Sequence, residues 1–427
     1  MTTRASREAQ DPAPGPHPLG GRLAGETDLA SRWLGGSVMA ASDESFGDKE
    51  NLLNPGPAAF EPGHYGNRGE IVDGWETKRR REPGHDWALI RLGAPGRVTS
   101  VEVDTSFFTG NYPQFCQIEA CGLEGYPGPA ELNDPATEWV VIVPRSPLQG
   151  DRHNAFAVSE SLRFNHLRLS VFPDGGVARL RAFGHVVPDP RFLDGVTVDL
   201  ASQLSGGLVV ASSDDFYTSA QMLNRPGDAR TMGEGWETRR RRDAGHDYVV
   251  FRLGVIGEVR QLLIDTSYFR YNASAAVAVY GCGRPVIPSV ESDEWVPLLG
   301  RTSLQPDTRH VFTVASSGPI AAVRLDAFPD GGLSRVRVIG RVDPAARRMA
   351  GYAWFNSLPA NHAIQCLLAA GIDPEVAAYV VQQRPLPEGW IGGLRSAALA
   401  QLPQGWGKQA TDRLTLLLDG RREGDGQ

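Results

Sequence analysis

The chain has 427 residues, including 49 Gly and 31 Pro, and 43 Lys and Arg stand against 50 Asp and Glu for a formal net charge of -7. This length favours two or three domains, the Gly and Pro content favours turn-rich β architecture over a helical bundle, and the acidic balance argues against a general nucleic-acid binder. No apolar run approaches the roughly 18 residues needed to cross a bilayer, and the N-terminus does not read as a secretory signal. The four cysteines, Cys116, Cys121, Cys282 and Cys366, have no metal-site spacing and are too few to staple the chain, so a reduced, cytoplasmic protein is expected.

Residues 1–26, with the segment DPAPGPHPLGG, read as a disordered leader. Beyond them the chain is duplicated. Gly74-Trp75-Glu76-Thr77 returns 161 residues on as Gly235-Trp236-Glu237-Thr238. The same offset carries Arg79-Arg80-Arg81 onto Arg240-Arg241-Arg242, His85-Asp86 onto His246-Asp247, Asp104-Thr105-Ser106 onto Asp265-Thr266-Ser267, and Asn111 onto Asn272. Phe172-Pro173-Asp174-Gly175-Gly176 returns as Phe328-Pro329-Asp330-Gly331-Gly332 at the shorter offset of 156, so a five-residue difference falls in the Gly/Pro-rich segment after Cys121. A length change there is what a surface loop tolerates.

A repeat of about 160 residues is too long for a solenoid unit, so each copy should have its own core. Within a copy, short apolar runs alternate between turn signals: WALIRLG (87–93), VTSVEVDTSFF (98–108), WVVIVP (139–144), HLRLSVF (166–172) and ARLRAFGHV (178–186). These predict two tandem antiparallel β-sandwiches of jelly-roll type, over 27–190 and 191–345. From about residue 360, Ala/Leu-rich spacing broken by Pro and Gly predicts three or four short helices, within a helical appendix assigned to 346–427 whose last residues, RREGDGQ, read as frayed.

The block GWETKRRREPGHDW gathers carboxylates, guanidinium groups and an imidazole, and GWETRRRRDAGHDY keeps every type. Arginine suits a carboxylate or urea carbonyl because its planar fork donates paired hydrogen bonds. On a strand, Arg79 and Arg81 would share one face and Arg80 take the other. His85 and His246 titrate near neutrality, and Glu76 and Glu237 would transfer protons if their pKa values were raised. The plainer readings stand beside these: the Arg run as a paired surface, Trp75 and Trp236 as core anchors, Gly-His-Asp as a turn, and the Asp of FPDGG as a turn stabiliser. Asp104-Thr105 and Asp265-Thr266 end alternating strands at a sandwich rim, with the polar loop to Asn111 following the first. Replacing Gly110 by Tyr271 in the second copy is expected to change the loop's shape. No spacing marks a zinc site, phosphate loop or nucleophile elbow, so no cofactor is called for, and a divalent metal held between distant loops is left open.

Taken together, SVMAASDESFGDKENLLNPG (37–56), DGWETKRRREPGHDWALIRLG (73–93), VEVDTSFFTGNYP (101–113) and FPDGGVARLR (172–181), with their second copies, resemble the allantoicase family from about Asp28 to Asp343. The resemblance implies two tandem jelly-roll domains similar to galactose-binding modules. It also implies hydrolysis of allantoate to ureidoglycolate and urea in purine breakdown, with a small ureide as substrate; a homo-oligomer is expected. For that reaction, with urea leaving either before or after water attacks, our own reading of the residues has one or two arginines of the Arg79–Arg81 run, Arg79 and Arg81, bind the substrate carboxylate, with Thr105, Asn111 and Asp174 as further contacts. His85 or Glu76 protonates the departing urea, and Asp104 or Asp86 handles the water. The counterparts are Glu237, Arg240, Arg242, His246, Asp247, Asp265 and Asp330, and the first copy is expected to carry more of the catalysis. The other class of reading is a non-catalytic tandem module for a small anion or sugar. The start of the tail, WFNSLPANHAIQCLL (354–368), faintly resembles ureidoimidazoline decarboxylase; without a His-Pro dipeptide, a docking or oligomerisation module is expected instead.

Overall fold

The computed structural model describes residues 26–394 and 406–420, so the leader before residue 26 and the last seven residues lie outside the described residues. Each repeat is built around one 19-residue strand, Asp86–Asp104 in the first and Asp247–Asp265 in the second. Residues 86–91 pair with Arg163–Phe172 on one side and Ser37–Ala41 on the other, and Phe115–Cys121 and Val140–Pro147 extend that layer. Residues 96–104 pair instead with Arg179–Val186 and His153–Ala157. The strand therefore serves both layers of a sandwich. Sequence periodicity suggests two strands here because Gly93-Ala94-Pro95-Gly96 reads as a break. In fact the small residues mark where the strand crosses between layers. A Cβ at Gly96 would sit 2.3 Å from the carbonyl of His185, so only glycine admits that approach.

Val171 stands opposite Asp86 and Arg179 opposite Asp104, so both ends of the long strand reach the same rim, bridged by the turn from Pro173 to Ala178. Trp75–Glu76 pairs with Gly176–Val177 in that turn and is thereby fixed at the rim. The layers enclose Trp75, Ile90, Val101, Val103, Phe164 and Leu169, and the second repeat encloses Trp236, Phe251, Leu262, Ile264 and Val323. Burying one such side chain contributes about 1.5–3 kcal/mol. Both tryptophans are wholly buried, as core anchors, and each donates its indole N–H to a backbone carbonyl, of Asp43 and Asp214 respectively. The guanidinium groups of Arg225 and Arg230 lie 5.0 and 4.9 Å from the ring of Trp33, joining the second repeat to the first.

The tail starts earlier than its apolar spacing suggests. Pro344–Ser357 is a 14-residue helix, capped by Asp343, whose carboxylate accepts from Ala346 N–H at 3.0 Å, with Pro344 at the first helical position. Its buried face mixes Arg347 and Gly351 with Tyr352, Trp354 and Phe355, which blurs the hydrophobic signal. Four further helices follow among the described residues: Ala360–Ala369, Pro374–Gln382, Trp390–Leu394 and Lys408–Asp419. They share a separate core that includes Phe355, Leu367, Val376, Val380 and Leu414.

Candidate functional site at the sandwich rim

Because neighbouring strand residues point to opposite faces, burial of Trp75 in the core turns Glu76 outward at the rim. Asn111 donates its Nδ2–H to Glu76 Oε1 at 2.7 Å, while its own carbonyl accepts from Gly176 N–H at 2.8 Å. The Glu76 carboxyl is half-buried. That burial pushes its pKa above the usual glutamate range, against the opposing effect of the Asn111 amide.

The arginine run is not a strand, yet its side chains alternate. Arg80 points inward: its N–H donates to Asp174 Oδ2 at 2.7 Å and its Nη1 lies 2.8 Å from Asp86 Oδ1. Asp86 is 2% exposed and also accepts from Ser42 Oγ at 3.0 Å, while its Oδ2 has no partner among the described residues. Arg79 and Arg81 are exposed and make no ion pair among the described residues. Asp104 is buried and accepts at Oδ1 from both the N–H and the hydroxyl of Ser106, at 2.8 and 2.6 Å. The buried Thr105 hydroxyl donates to the Gln149 carbonyl at 2.6 Å. The rim thus brings Glu76, Asn111, Arg79, Arg81 and His85 to its surface, and ties Asp86, Asp104, Thr105 and Asp174 into its framework.

His85 stacks on Phe172 with ring centroids 4.8 Å apart, and the Arg145 guanidinium lies 4.4 Å from the same phenyl ring. Burial lowers the His85 pKa, and the positive charges of Arg168 and Arg80 lower it further, so the imidazole is neutral at pH 7. Arg168 is itself paired with Glu119 at 2.8 Å. Arg145, Arg168 and Glu119 escape a motif-based reading because they stand on separate strands. The shorter repeat offset could have found two of them, since it carries Arg145 onto Arg301 and Arg168 onto Arg324. Arg301 lies 4.1 Å from the ring of Phe328, which keeps the arrangement in the second copy.

The second rim repeats much of the first. Asn272 donates to Glu237 Oε1 at 2.7 Å, and Arg241 takes the inward role through Asp330 and Asp247, leaving Arg240 and Arg242 exposed. Asp247 Oδ2 accepts from Gly331 N–H at 3.2 Å, and Asp265 Oδ1 accepts from Ser267 N–H at 2.8 Å. The loop's contact with the facing turn changes, since Gly176 N–H donates to the Asn111 carbonyl and Gly332 N–H to Ser274 Oγ, but the exchange of Gly110 for Tyr271 leaves the Asn–Glu pairing intact. A Cβ at Gly110 would meet nothing within 4 Å, its φ is not positive, and Tyr271 simply projects into solvent, so the Asn–Glu bond has the same length in both copies. Another difference lies beside the histidine. His246 Nε2 is 3.3 Å from Asp326 Oδ2, where the first copy has Ser170, and Tyr280 replaces Glu119.

Among the described residues, no group of three His, Cys or carboxylate ligands converges at either rim; one such group, Glu124, His362 and Cys366, occurs at the tail. Two cavities, of about 350 and 230 Å³, also border the tail rather than a rim.

The family model described as the allantoicase repeat matches residues 27–187 and again 198–343. A Streptomyces coelicolor protein named "Probable allantoicase" is 45% identical over 336 residues, covering 76% of this chain and 88% of the relative. A Nocardia farcinica protein of the same name is 48% identical over 317 residues, covering 74% and 94%. The crystal structure of allantoicase from Saccharomyces cerevisiae aligns with a TM-score of 0.64 at 33% identity, over 74% of this chain and 93% of that one. Matched twice by the repeat and nearly half identical to such relatives over almost their whole length, the chain belongs to the allantoicase family.

Proposed function

We propose that the chain hydrolyses allantoate to ureidoglycolate and urea, and that the rim of its first repeat carries the reaction. The observation behind this placement is the half-buried Glu76 carboxyl, oriented by Asn111 at 2.7 Å and followed in the chain by the exposed Arg79 and Arg81. Allantoate bears one carboxylate and two ureido groups on a single carbon. Arg79 and Arg81 supply paired donors for the carboxylate. Protonated Glu76 gives its proton to the departing ureido nitrogen as the C–N bond breaks. As carboxylate, it then takes a proton from the water whose oxygen bonds to that carbon, which restores the starting state. Neutral His85, held against Phe172, offers a hydrogen bond to the leaving urea.

Asp86, Asp104, Thr105 and Asp174 are assigned to holding this geometry, because each engages the framework through at least one side-chain oxygen. The second rim is assigned as a supporting site: there the Asp326 carboxylate stands beside His246, where the first copy has Ser170. A homo-oligomer belongs to the same reading. The four cysteines are unpaired and buried, which fits a reducing, cytoplasmic setting. The test is urea release from allantoate by the purified protein, with and without chelator, in wild type and in Glu76→Gln. Turnover by wild type and a loss of about 10²–10⁴-fold in the variant are expected. Inert wild-type protein would overturn the activity, and a fully active variant would overturn its placement.

A further inference from the structure

The tail meets the first sandwich at a group of metal-ligating side chains far from either rim. His362 and Cys366 are four residues apart on Ala360–Ala369 and so share one face of that helix. The loop after Phe115–Cys121 brings Glu124 against them. Glu124 Oε2 lies 2.8 Å from Cys366 Sγ and 3.4 Å from His362 Nε2, and the three ligand atoms lie within 4.8 Å of one another. His362 is 3% exposed and Cys366 is fully buried. We propose that Glu124, His362 and Cys366 bind a zinc ion that staples the helical tail to the first sandwich.

The donor set is the argument for zinc: a carboxylate oxygen, an imidazole nitrogen and a thiolate sulfur, three ligand types that zinc accepts together in tetrahedral sites. With bonds of about 2.0–2.3 Å, such sites place their ligand atoms roughly 3–4 Å apart, close to the spacing found here. A supporting shell is present. Arg191 holds both Glu124 oxygens, with Nη1 2.9 Å from Oε1 and Nη2 3.1 Å from Oε2, and is itself anchored by Asp189 and by the ring of Trp354 at 5.0 Å. Two imidazole nitrogens at this junction, His362 Nδ1 and His166 Nε2, are buried without a hydrogen-bond partner among the described residues. The junction is therefore more polar than the protein alone satisfies. The cavity of about 230 Å³, lined by Gly122, Leu123, Pro359, Asn361 and Gln365, runs beside it as a path for an ion.

Binding requires the Cys366 thiol to pass its proton to solvent, while His362 faces Glu124 through Nε2. Without metal, Glu124 and Asp189 offset Arg163 and Arg191. Loading a divalent ion and losing the thiol proton adds one positive charge to that balance.

Cobalt titration of chelator-stripped full-length protein tests this. Wild type should develop a thiolate-to-cobalt charge-transfer band and tetrahedral ligand-field bands that saturate at one cobalt per chain and vanish when zinc is added. Cys366→Ser should lose the charge-transfer band, and His362→Gln should weaken binding by at least about tenfold. A wild-type spectrum that stays that of aqueous cobalt would overturn the proposal and leave the cluster a hydrogen-bonded staple, and that outcome does not depend on any variant folding. A band that persists in Cys366→Ser would also overturn it, by placing the ion at another cysteine.

Discussion

The Glu76–Asn111 hydrogen bond makes one side chain the regulator of another's acidity. Burial raises the Glu76 pKa and the Asn111 amide lowers it by stabilising the carboxylate, so removing the amide should raise it further. If Glu76 donates the proton to departing urea, activity falls as pH rises through its pKa. Asn111→Ala should therefore shift the descending limb of the pH–rate profile to higher pH while lowering the maximal rate. A limb at the wild-type position would show that Glu76 is not the titrating acid. The exposed arginines act on binding instead. Charge-assisted hydrogen bonds contribute about 1.5–3 kcal/mol, so Arg79→Ala or Arg81→Ala should raise KM roughly 10–100-fold. Both variants should melt as wild type does, since neither side chain is paired among the described residues. The copies should also separate at this scale: Glu76→Gln should cost far more turnover than Glu237→Gln. Equal losses would mean that the two rims work as one.

At the scale of elements, the rim depends on the inward arginine of each run. Arg80 ties the segment after Trp75–Glu76 to the start of the long strand through Asp86 and to the following turn through Asp174. Arg80→Ala would leave the carboxylate of Asp86 buried with Ser42 as its remaining partner, and breaking a buried pair in this way costs about 3–5 kcal/mol. Denaturant unfolding should show that loss, in contrast to the neighbouring arginines; a midpoint equal to wild type would refute the inward role. Much of this architecture is legible in the sequence. The repeat offset separates the two sandwiches, the alternation of VTSVEVD places Asp104 at a strand end, and Gly-Pro signals place the FPDGG turn. The hidden part is long-range. Three consecutive arginines look alike in sequence, and the one whose backbone N–H is held by Asp174, 94 residues away, is also the one whose guanidinium reaches Asp86. The framework role of Asp86 and Asp104 is obscured for the same reason, as is the crossing of one strand between two layers. Local composition reports a break at Gly93–Gly96, whereas the pairing partners decide that the strand continues.

At the scale of the whole molecule, three cores are held together by a few buried polar contacts, and those contacts decide which part opens first. Arg347, 5% exposed, pairs with Asp194 in the connection between the sandwiches at 2.8 and 3.0 Å. It also donates to the carbonyl groups of Leu418 and Leu417 at the end of Lys408–Asp419. One side chain thus closes the helical tail on itself and fastens it to the connection. Arg347→Met would keep much of the side-chain volume but strand the Asp194 carboxylate and two helix-terminal carbonyls, at a cost of about 3–5 kcal/mol. A helical unit of this size has little stability to spare, because small cores bury a smaller fraction of their surface. The variant should therefore open the tail by itself, with fast amide exchange and early proteolysis confined to residues 344–420. Both sandwiches should stay protected, and turnover of allantoate should persist, because the rims lie away from the tail. Protection of the tail equal to wild type would show that its own hydrophobic core suffices to hold it. Simultaneous loss of protection in the second sandwich would show instead that tail and repeats unfold as one cooperative unit.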